Sequence, residues 1–166
     1  MTGLVTTAEG EIMNSFANDE EFTAVNNEVF EKLPFNKMLG LKVESIGSDC
    51  VTTSFEMRDE LMGNYKRGML HGGVISSVID ATGGLAAVIG IQKKVHGETI
   101  EARLKRAFRM STIDMRVDYL RPGLGKRFVV TGYILRTGNK VVVTRIELHN
   151  DQNDLIAVGT STYMLS

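Results

Sequence analysis

Residues 70–91 read LHGGVISSVIDATGGLAAVIGI, and this stretch decides the fold. From Gly72 onward it contains 20 residues with one charged side chain, Asp80. That length is sufficient for a transmembrane helix. A charge near the middle, however, costs about 2.5–3.5 kcal/mol on membrane insertion, and five glycines interrupt the apolar run. Because apolar residues surround most of the helical circumference, we predict a helix buried inside a soluble protein and no membrane span.

The segments on either side of this helix alternate apolar and polar residues, as β-strands do. Two of them precede the helix and form a predicted hairpin, and four follow it with turn residues between them. The predicted strands are 41–46, 51–57, 111–119, 127–135, 141–148 and 155–164. This order predicts an α+β fold in which the long helix covers one face of an antiparallel sheet.

A further helix is predicted near the N terminus, where apolar residues from Phe22 to Leu33 recur at helical spacing. Asn18 or Asp19 can cap its start, and Pro34 closes the run. The total of 166 residues predicts one compact domain. Within it we distinguish an N-terminal helical extension, residues 1–34, from a main domain, residues 35–166.

The composition excludes several classes of protein. Nineteen basic and 20 acidic residues give a net charge of -1, which argues against a nucleic-acid-binding protein. The one cysteine, Cys50, cannot form an internal disulfide, and the first thirty residues contain no lysine or arginine for a secretory or transit signal. We therefore expect a cytoplasmic protein. Charge is nevertheless uneven, since residues 1–50 carry three basic and nine acidic side chains and the remainder is basic.

Two features at the long helix suggest chemistry. Gly72 and Gly73 open it, and backbone N–H groups at a helix start lack intrahelical partners, so they can stabilise a developing oxyanion. Both amides are therefore candidate oxyanion donors, and we expect Gly73 to contribute to substrate binding. Asp80 lies among apolar neighbours, where an unpaired carboxylate costs several kcal/mol, so it is either paired for structure or placed for function.

The combination of His71, Gly72, Gly73 and Asp80 resembles the hotdog-fold acyl-CoA thioesterases of the phenylacetate-pathway (PaaI-like) type. The resemblance covers residues 35–166 and includes VDYLRPG at 117–123 and RTGNK at 136–140. It implies an antiparallel sheet wrapped around a long central helix. It also implies that the Gly72 amide polarises the thioester carbonyl while Asp80 acts as general base or nucleophile, two roles that stay open.

Helix geometry adds a requirement for a second chain. Eight residues of helix separate Gly72 from Asp80 by about 12 Å, too far for both to contact one carbonyl from the same subunit. A two-fold dimer would pair Gly72 of one subunit with Asp80 of the other. The expected assembly is a homodimer at least, with a homotetramer as a second possibility.

Other site residues are suggested by the resemblance. Asn64 could orient the attacking water or be an ordinary turn asparagine, because the position where the family often has asparagine is Tyr65 here. The resemblance also implies a Ser or Thr hydroxyl beside Asp80; Thr112 fits by counting back from Pro122, and Ser111 is the neighbouring candidate. His71 could transfer a proton or position its loop through a ring hydrogen bond.

Residues 92–109 depart from the family, which usually has a short loop there, and they are strongly basic. Ile100, Leu104 and Phe108 recur at helical spacing, so part of this segment is a predicted amphipathic helix. Its charges are either a solvated face or line the site mouth, as a lid over an acyl chain or as a trap for CoA phosphates. In the last case Arg103 and Arg106 bind substrate.

By the same resemblance, phosphate contacts are also expected from Arg136 and Lys140, which flank a turn. No metal or redox cofactor is expected, because His96 and His149 have no partner at metal-ligand spacing.

The resulting prediction is a thioester hydrolase that converts an acyl-CoA to a free acid and CoA. One alternative is a hotdog hydratase acting on enoyl thioesters, for which the nine-residue spacing between His71 and Asp80 is unfavourable. The other is a non-catalytic acyl-CoA binding or sensing protein.

Overall fold

The computed structural model describes residues 8–94 and 98–165. Four α-helices, eight β-strands and one short 3-10 helix follow one another along this part of the chain. They are α1 Ala8–Lys32, α2 Pro34–Leu39, β1 Lys42–Ile46, β2 Cys50–Glu56, the 3-10 helix Asp59–Leu61, β3 Met62–Asn64, β4 Met69–Leu70, α3 Gly72–Gln92, α4 Ile100–Ala107, β5 Met110–Tyr119, β6 Arg127–Thr137, β7 Val141–Asn150 and β8 Leu155–Leu165.

Six strands form one antiparallel sheet in the order β1-β2-β6-β7-β8-β5. Helix α3 lies across this sheet and contacts β2 and β5 to β8. Its length and apolar character would suit a membrane span, but most of its residues are buried against the sheet and its neighbours. The predicted α+β fold with a long central helix is therefore confirmed.

The core lies between α3 and the sheet. Val78, Ile79 and Ala86 of α3 are fully buried, and Phe55 stacks on Phe128 with ring centroids 5.2 Å apart. Gly132 on β6 lets its strand approach the helix, because an added Cβ there would lie 3.1 Å from the carbonyl oxygen of Thr82. Close packing of strand on helix thus requires a residue without a side chain at this point.

The six predicted strands are confirmed, each with bounds that shift by at most two residues. The N-terminal prediction needs correction, because α1 begins at Ala8 and therefore runs through Asn18 and Asp19. Pro34 separates two helices, ending α1 and opening α2 as its first residue, where proline's missing N–H costs nothing. The small hairpin of β3 and β4 was not predicted.

The N-terminal helix packs into the same core as the rest of the chain. Phe22 and Phe30 of α1 are buried in one cluster with Leu85 of α3 and Phe55 of β2. The division at residue 34 stays a prediction, and Phe22 and Phe30 of α1 belong to the common core.

Candidate active site

Asp80 lies on α3 with one of its carboxylate oxygens held by two strands. The hydroxyl of Thr112 on β5 donates to Asp80 Oδ1 at 2.9 Å. The hydroxyl of Tyr163 on β8 lies 3.4 Å from the same atom and donates to the backbone carbonyl of Asp80 at 2.8 Å. Among the described residues none donates to Oδ2, so this oxygen is available to a ligand.

Tyr163 was missed by the sequence analysis, although it is the best buried of the groups around Asp80. Burial raises the pKa of Tyr163, and the negative charge of Asp80 raises it further, so its hydroxyl stays protonated and donates. Alternation along β8 offered a signal, since Ser161 and Tyr163 fall on the inward face with Gly159. The contact itself joins residues 83 positions apart and cannot be read from spacing.

The turn before α3 leaves one backbone amide free. His71 caps the helix, and its Nδ1 accepts the N–H of Gly73 at 2.8 Å. The Gly72 N–H has no acceptor among the described residues. The substrate-binding amide expected of Gly73 is therefore occupied, and only Gly72 offers a donor here. The observed ring hydrogen bond is the positioning role considered for His71.

Neighbouring strands fix this turn in place. Tyr119 on β5 donates its hydroxyl to the Gly72 carbonyl at 3.1 Å. His71 N–H donates to the Leu61 carbonyl at 2.9 Å. Gly63 on β3 lies so close that an added Cβ would be 2.8 Å from His71 Cα. The direction of the Gly72 N–H is thus set by packing on two sides.

Asn64 lies at the end of β3, where its carbonyl accepts the N–H of Arg67 at 3.1 Å in the hairpin turn. Its side chain has no hydrogen bond to any described residue. Gly72 and Asp80 lie eight residues apart in the unbroken α3, about 12 Å along its axis. One chain therefore brings Thr112 and Asp80 together but keeps the Gly72 amide away from them.

A cavity of about 260 Å³ opens beside Asp80. Residues of α3 form its floor, and α1, α2, α4 and the start of β5 form its walls. Most of the lining is apolar, with Leu85, Val88, Leu104, Phe108 and Met110 among the larger side chains. Engineered apolar cavities of about 150 Å³ bind benzene, so this one has room for a larger apolar group.

Helix α4 confirms the amphipathic helix predicted in the segment 92–109, and Leu104 and Phe108 face the cavity. Of this segment the structure describes residues 92–94 and 98–109. The three alternatives for this segment, a solvated charged face, a lid and a phosphate trap, stay predictions. The apolar side of α4 covers the cavity, as a lid would.

Arg103 does not suit phosphate binding. It is only 4% exposed, its guanidinium lies 4.1 Å from the Phe22 ring centroid, and its Nε donates to Gln92 Oε1 at 2.9 Å. This burial argues against the substrate role expected of Arg103, which stays a prediction, and shows that the residue packs in the core. Arg106 is half-buried and pairs with Glu98.

The other predicted phosphate contacts lie elsewhere. Arg136 and Lys140 are exposed at the turn between β6 and β7. This turn neighbours the far end of α3, since an added Cβ at Gly90 would lie 2.8 Å from Thr137 Oγ1. His149 is half-buried on β7, and His96 lies outside the described residues.

Comparison with known proteins agrees with this architecture. The sequence model of the thioesterase superfamily matches residues 67–157, more than half of the chain. The chain belongs to the thioesterase superfamily. The matched segment contains the capped turn, all of α3 and Thr112, so membership confirms the fold and the enzyme class predicted from the sequence.

Relatives within the thioesterase superfamily cover nearly the whole chain. The medium/long-chain acyl-CoA thioesterase YigI of Escherichia coli K12 is 45% identical over 134 residues, 80% of this chain and 86% of YigI. A crystal structure from Shewanella oneidensis is 44% identical with a TM-score of 0.84, covering 89% of this chain and 97% of that one. The fold is shared more widely, because the E. coli PaaI protein is 17% identical with a TM-score of 0.70, covering 90% of this chain and 96% of PaaI.

Proposed function

We propose that this thioesterase-superfamily protein is an acyl-CoA thioesterase that hydrolyses medium- to long-chain acyl-CoA to a fatty acid and CoA. The observation that carries the proposal is the position of Asp80, which lines an apolar cavity and whose Oδ2 accepts no hydrogen bond from the described residues. A relative at 45% identity, named for the same activity, supports the substrate class. The cavity would hold the acyl chain, with the thioester at Asp80.

In the proposed reaction Asp80 acts as general base. A water molecule gives a proton to Oδ2 as its oxygen bonds to the thioester carbonyl carbon. The carbon–sulfur bond of the tetrahedral intermediate then breaks, and the CoA sulfur takes the proton from Asp80. In the alternative, the carboxylate itself attacks the carbonyl carbon, the carbon–sulfur bond breaks and CoA leaves as its thiolate. Water then opens the mixed anhydride to give the free acid and the Asp80 carboxylate, and the proton released in this step converts the CoA thiolate to the thiol. In both, Thr112 holds Oδ1 so that Oδ2 faces the substrate.

The developing oxyanion needs a donor that the same chain does not supply at Asp80. We propose the Gly72 amide of a second subunit. The exposure of β5 supports this arrangement, because no residue of this edge strand is buried, whereas β7 alternates between buried and half-buried. Ile113 and Met115 are among its exposed apolar side chains. A homodimer that covers β5 would also cover Thr112 and the Asp80 carboxylate.

The CoA end of the substrate is anionic, and we propose Arg136 and Lys140 as contacts for its phosphates, on the same or the partner subunit. Both are exposed at one turn. A location in the cytoplasm suits a protein whose one cysteine, Cys50, is free. The hydratase alternative is not favoured, since its base would be His71, whose Nδ1 is committed to Gly73.

The direct test is thiol release from butanoyl-, octanoyl-, dodecanoyl- and hexadecanoyl-CoA by the wild type and by Asp80→Asn. We expect wild-type turnover on the longer substrates and a loss of about 10²–10⁴-fold in kcat for the variant, which lacks the base. If the wild type binds these substrates but releases no thiol, the protein is a binding protein and the proposal fails. Equal rates for both proteins would remove Asp80 from the mechanism.

A further inference from the structure

Three glycines lie in the middle and last turns of α3, and two of them are required by packing. An added Cβ on Gly83 would lie 2.4 Å from the Tyr163 hydroxyl oxygen, and one on Gly90 would lie 2.8 Å from Thr137 Oγ1. Real side chains do not approach so closely. At these positions the neighbouring strands leave no room for a side chain.

Gly84 differs from both. The nearest atoms to an added Cβ there are Tyr163 Cε1 at 3.6 Å and Met110 Cε at 3.9 Å, ordinary contact distances. Its neighbours would therefore accept an alanine. Glycine nevertheless destabilises a helix interior relative to alanine. The packing of the described residues does not account for glycine at this position.

The cavity supplies the missing reason. Asp80, Gly84 and Val88 are four residues apart, so they form one row along α3, and all three line the cavity. Gly84 lies about 6 Å from Asp80 along the helix axis, and Val88 lies about 12 Å from it. A group that extends from Asp80 towards Val88 has to pass Gly84.

We infer that Gly84 is a specificity-determining residue, whose missing side chain keeps open the passage from Asp80 to the far part of the cavity. The inference rests on the proposed function and deepens it. Acyl chains that are long enough to pass Gly84 gain apolar contacts with Leu85, Val88 and Leu104. A side chain at residue 84 would exclude those chains while leaving less effect on short acyl groups that end before it.

The test is a series at one position, with Gly84→Ala, Gly84→Val and Gly84→Leu compared by kcat/KM on butanoyl- and dodecanoyl-CoA. We expect the ratio of dodecanoyl to butanoyl activity to fall stepwise with side-chain size, by at least about tenfold in Gly84→Leu. Gln152→Leu adds the same side chain in the exposed β7–β8 turn and should keep the wild-type ratio. If Gly84→Leu does not fold, Gly84→Val serves as the test, with thermal unfolding as the measure of folding.

A binding measurement separates this inference from the proposed function. Dodecanoyl-CoA is titrated into Asp80→Asn with and without Gly84→Leu, so that no turnover is needed. Weaker binding of dodecanoyl-CoA, with butanoyl-CoA affected less, supports the passage even if the wild type proves inactive. If kcat/KM for butanoyl-CoA and for dodecanoyl-CoA falls in parallel across the Gly84 series, the inference is overturned. The thioesterase proposal is unaffected by that result.

Discussion

Tyr163 donates its hydroxyl hydrogen to the backbone carbonyl of Asp80 at 2.8 Å and lies 3.4 Å from the carboxylate of the same residue. This hydrogen bond joins β8, the last strand in the chain, to the turn of α3 that carries the candidate base. This contact makes the stability of the protein depend on the protonation of one buried phenol.

We expect stability to decline at alkaline pH. Burial and Asp80 raise the pKa of Tyr163 above its usual 10.0, so the folded protein keeps a proton that the unfolded chain loses. The stabilisation is complete below pH 10 and is lost as pH rises further, with a slope of up to about 1.4 kcal/mol per pH unit. Urea unfolding between pH 8 and pH 11 measures it.

Tyr163→Phe is the matched variant for that measurement. It removes the titrating hydroxyl and one hydrogen bond, so we expect about 1 kcal/mol lower stability at pH 8 and a shallower alkaline slope. Burial also raises the pKa of Tyr133, which is unchanged in the variant and leaves a residual slope. If the free energy of unfolding falls with pH at the same slope in the wild type and in Tyr163→Phe, Tyr163 is not the group responsible.

Thr112→Val should reduce turnover more than it reduces substrate affinity. Valine has nearly the shape of threonine but cannot donate to Asp80 Oδ1. A hydrogen bond to a charged group contributes about 1.5–3 kcal/mol, so we expect kcat to fall about 10- to 100-fold with little change in KM. Thr112→Ser keeps the donor and should retain most of the activity. An equal loss of kcat in Thr112→Val and Thr112→Ser would show that packing at residue 112, and not the hydrogen bond to Asp80, causes the loss.

Ile113→Lys tests whether the active unit is a pair of chains. Ile113 is 51% exposed on β5, the edge strand that we expect a second subunit to cover. A buried lysine there should dissociate the pair, because charges on edge strands oppose pairing. Light scattering would report the mass, and thiol release should fall with it. A monomeric variant with full turnover would rule out a Gly72 donor from the partner.

Arg103 and Arg136 should give opposite phenotypes. Arg103→Met removes a buried cation over Phe22 and its bond to Gln92, so we expect about 2 kcal/mol lower stability and no rise in KM.

Arg136→Glu should leave stability unchanged and raise KM for acyl-CoA at low salt, with the difference shrinking at high salt. A raised KM for Arg103→Met in the folded protein would restore its predicted phosphate role.

The sequence was sufficient for most of the architecture. Helix α3 was predicted because it is long and apolar all round, and the six sheet strands because they alternate over five or more residues. The hairpin of β3 and β4 was missed since strands of three and two residues are too short to show a period. The start of α1 was placed too late because Asn18 and Asp19 are favoured capping residues, although Ile12, Met13 and Phe16 before them already recur at helical spacing.

The site was only partly predictable, for a different physical reason. Asp80 and Gly72 belong to a local pattern, and Thr112 follows from counting along one strand. Tyr163, in contrast, meets Asp80 through tertiary folding alone. The burial of Arg103 was not predicted because basic residues are usually exposed, and here its guanidinium lies over an aromatic ring and donates to a glutamine carbonyl.

The cavity beside Asp80 has walls from α1 and α2, which lie before residue 40, while the family model matches residues 67–157. Part of the cavity wall thus lies outside the matched segment, whereas α3 with Asp80 and Gly84 lies inside it. We therefore expect substitutions in α1 and α2 to alter the preferred acyl chain while leaving Asp80 and Thr112 in place. Two relatives that share the matched segment can therefore differ in the acyl chain that they prefer. Grouping proteins by that segment alone would not show this difference.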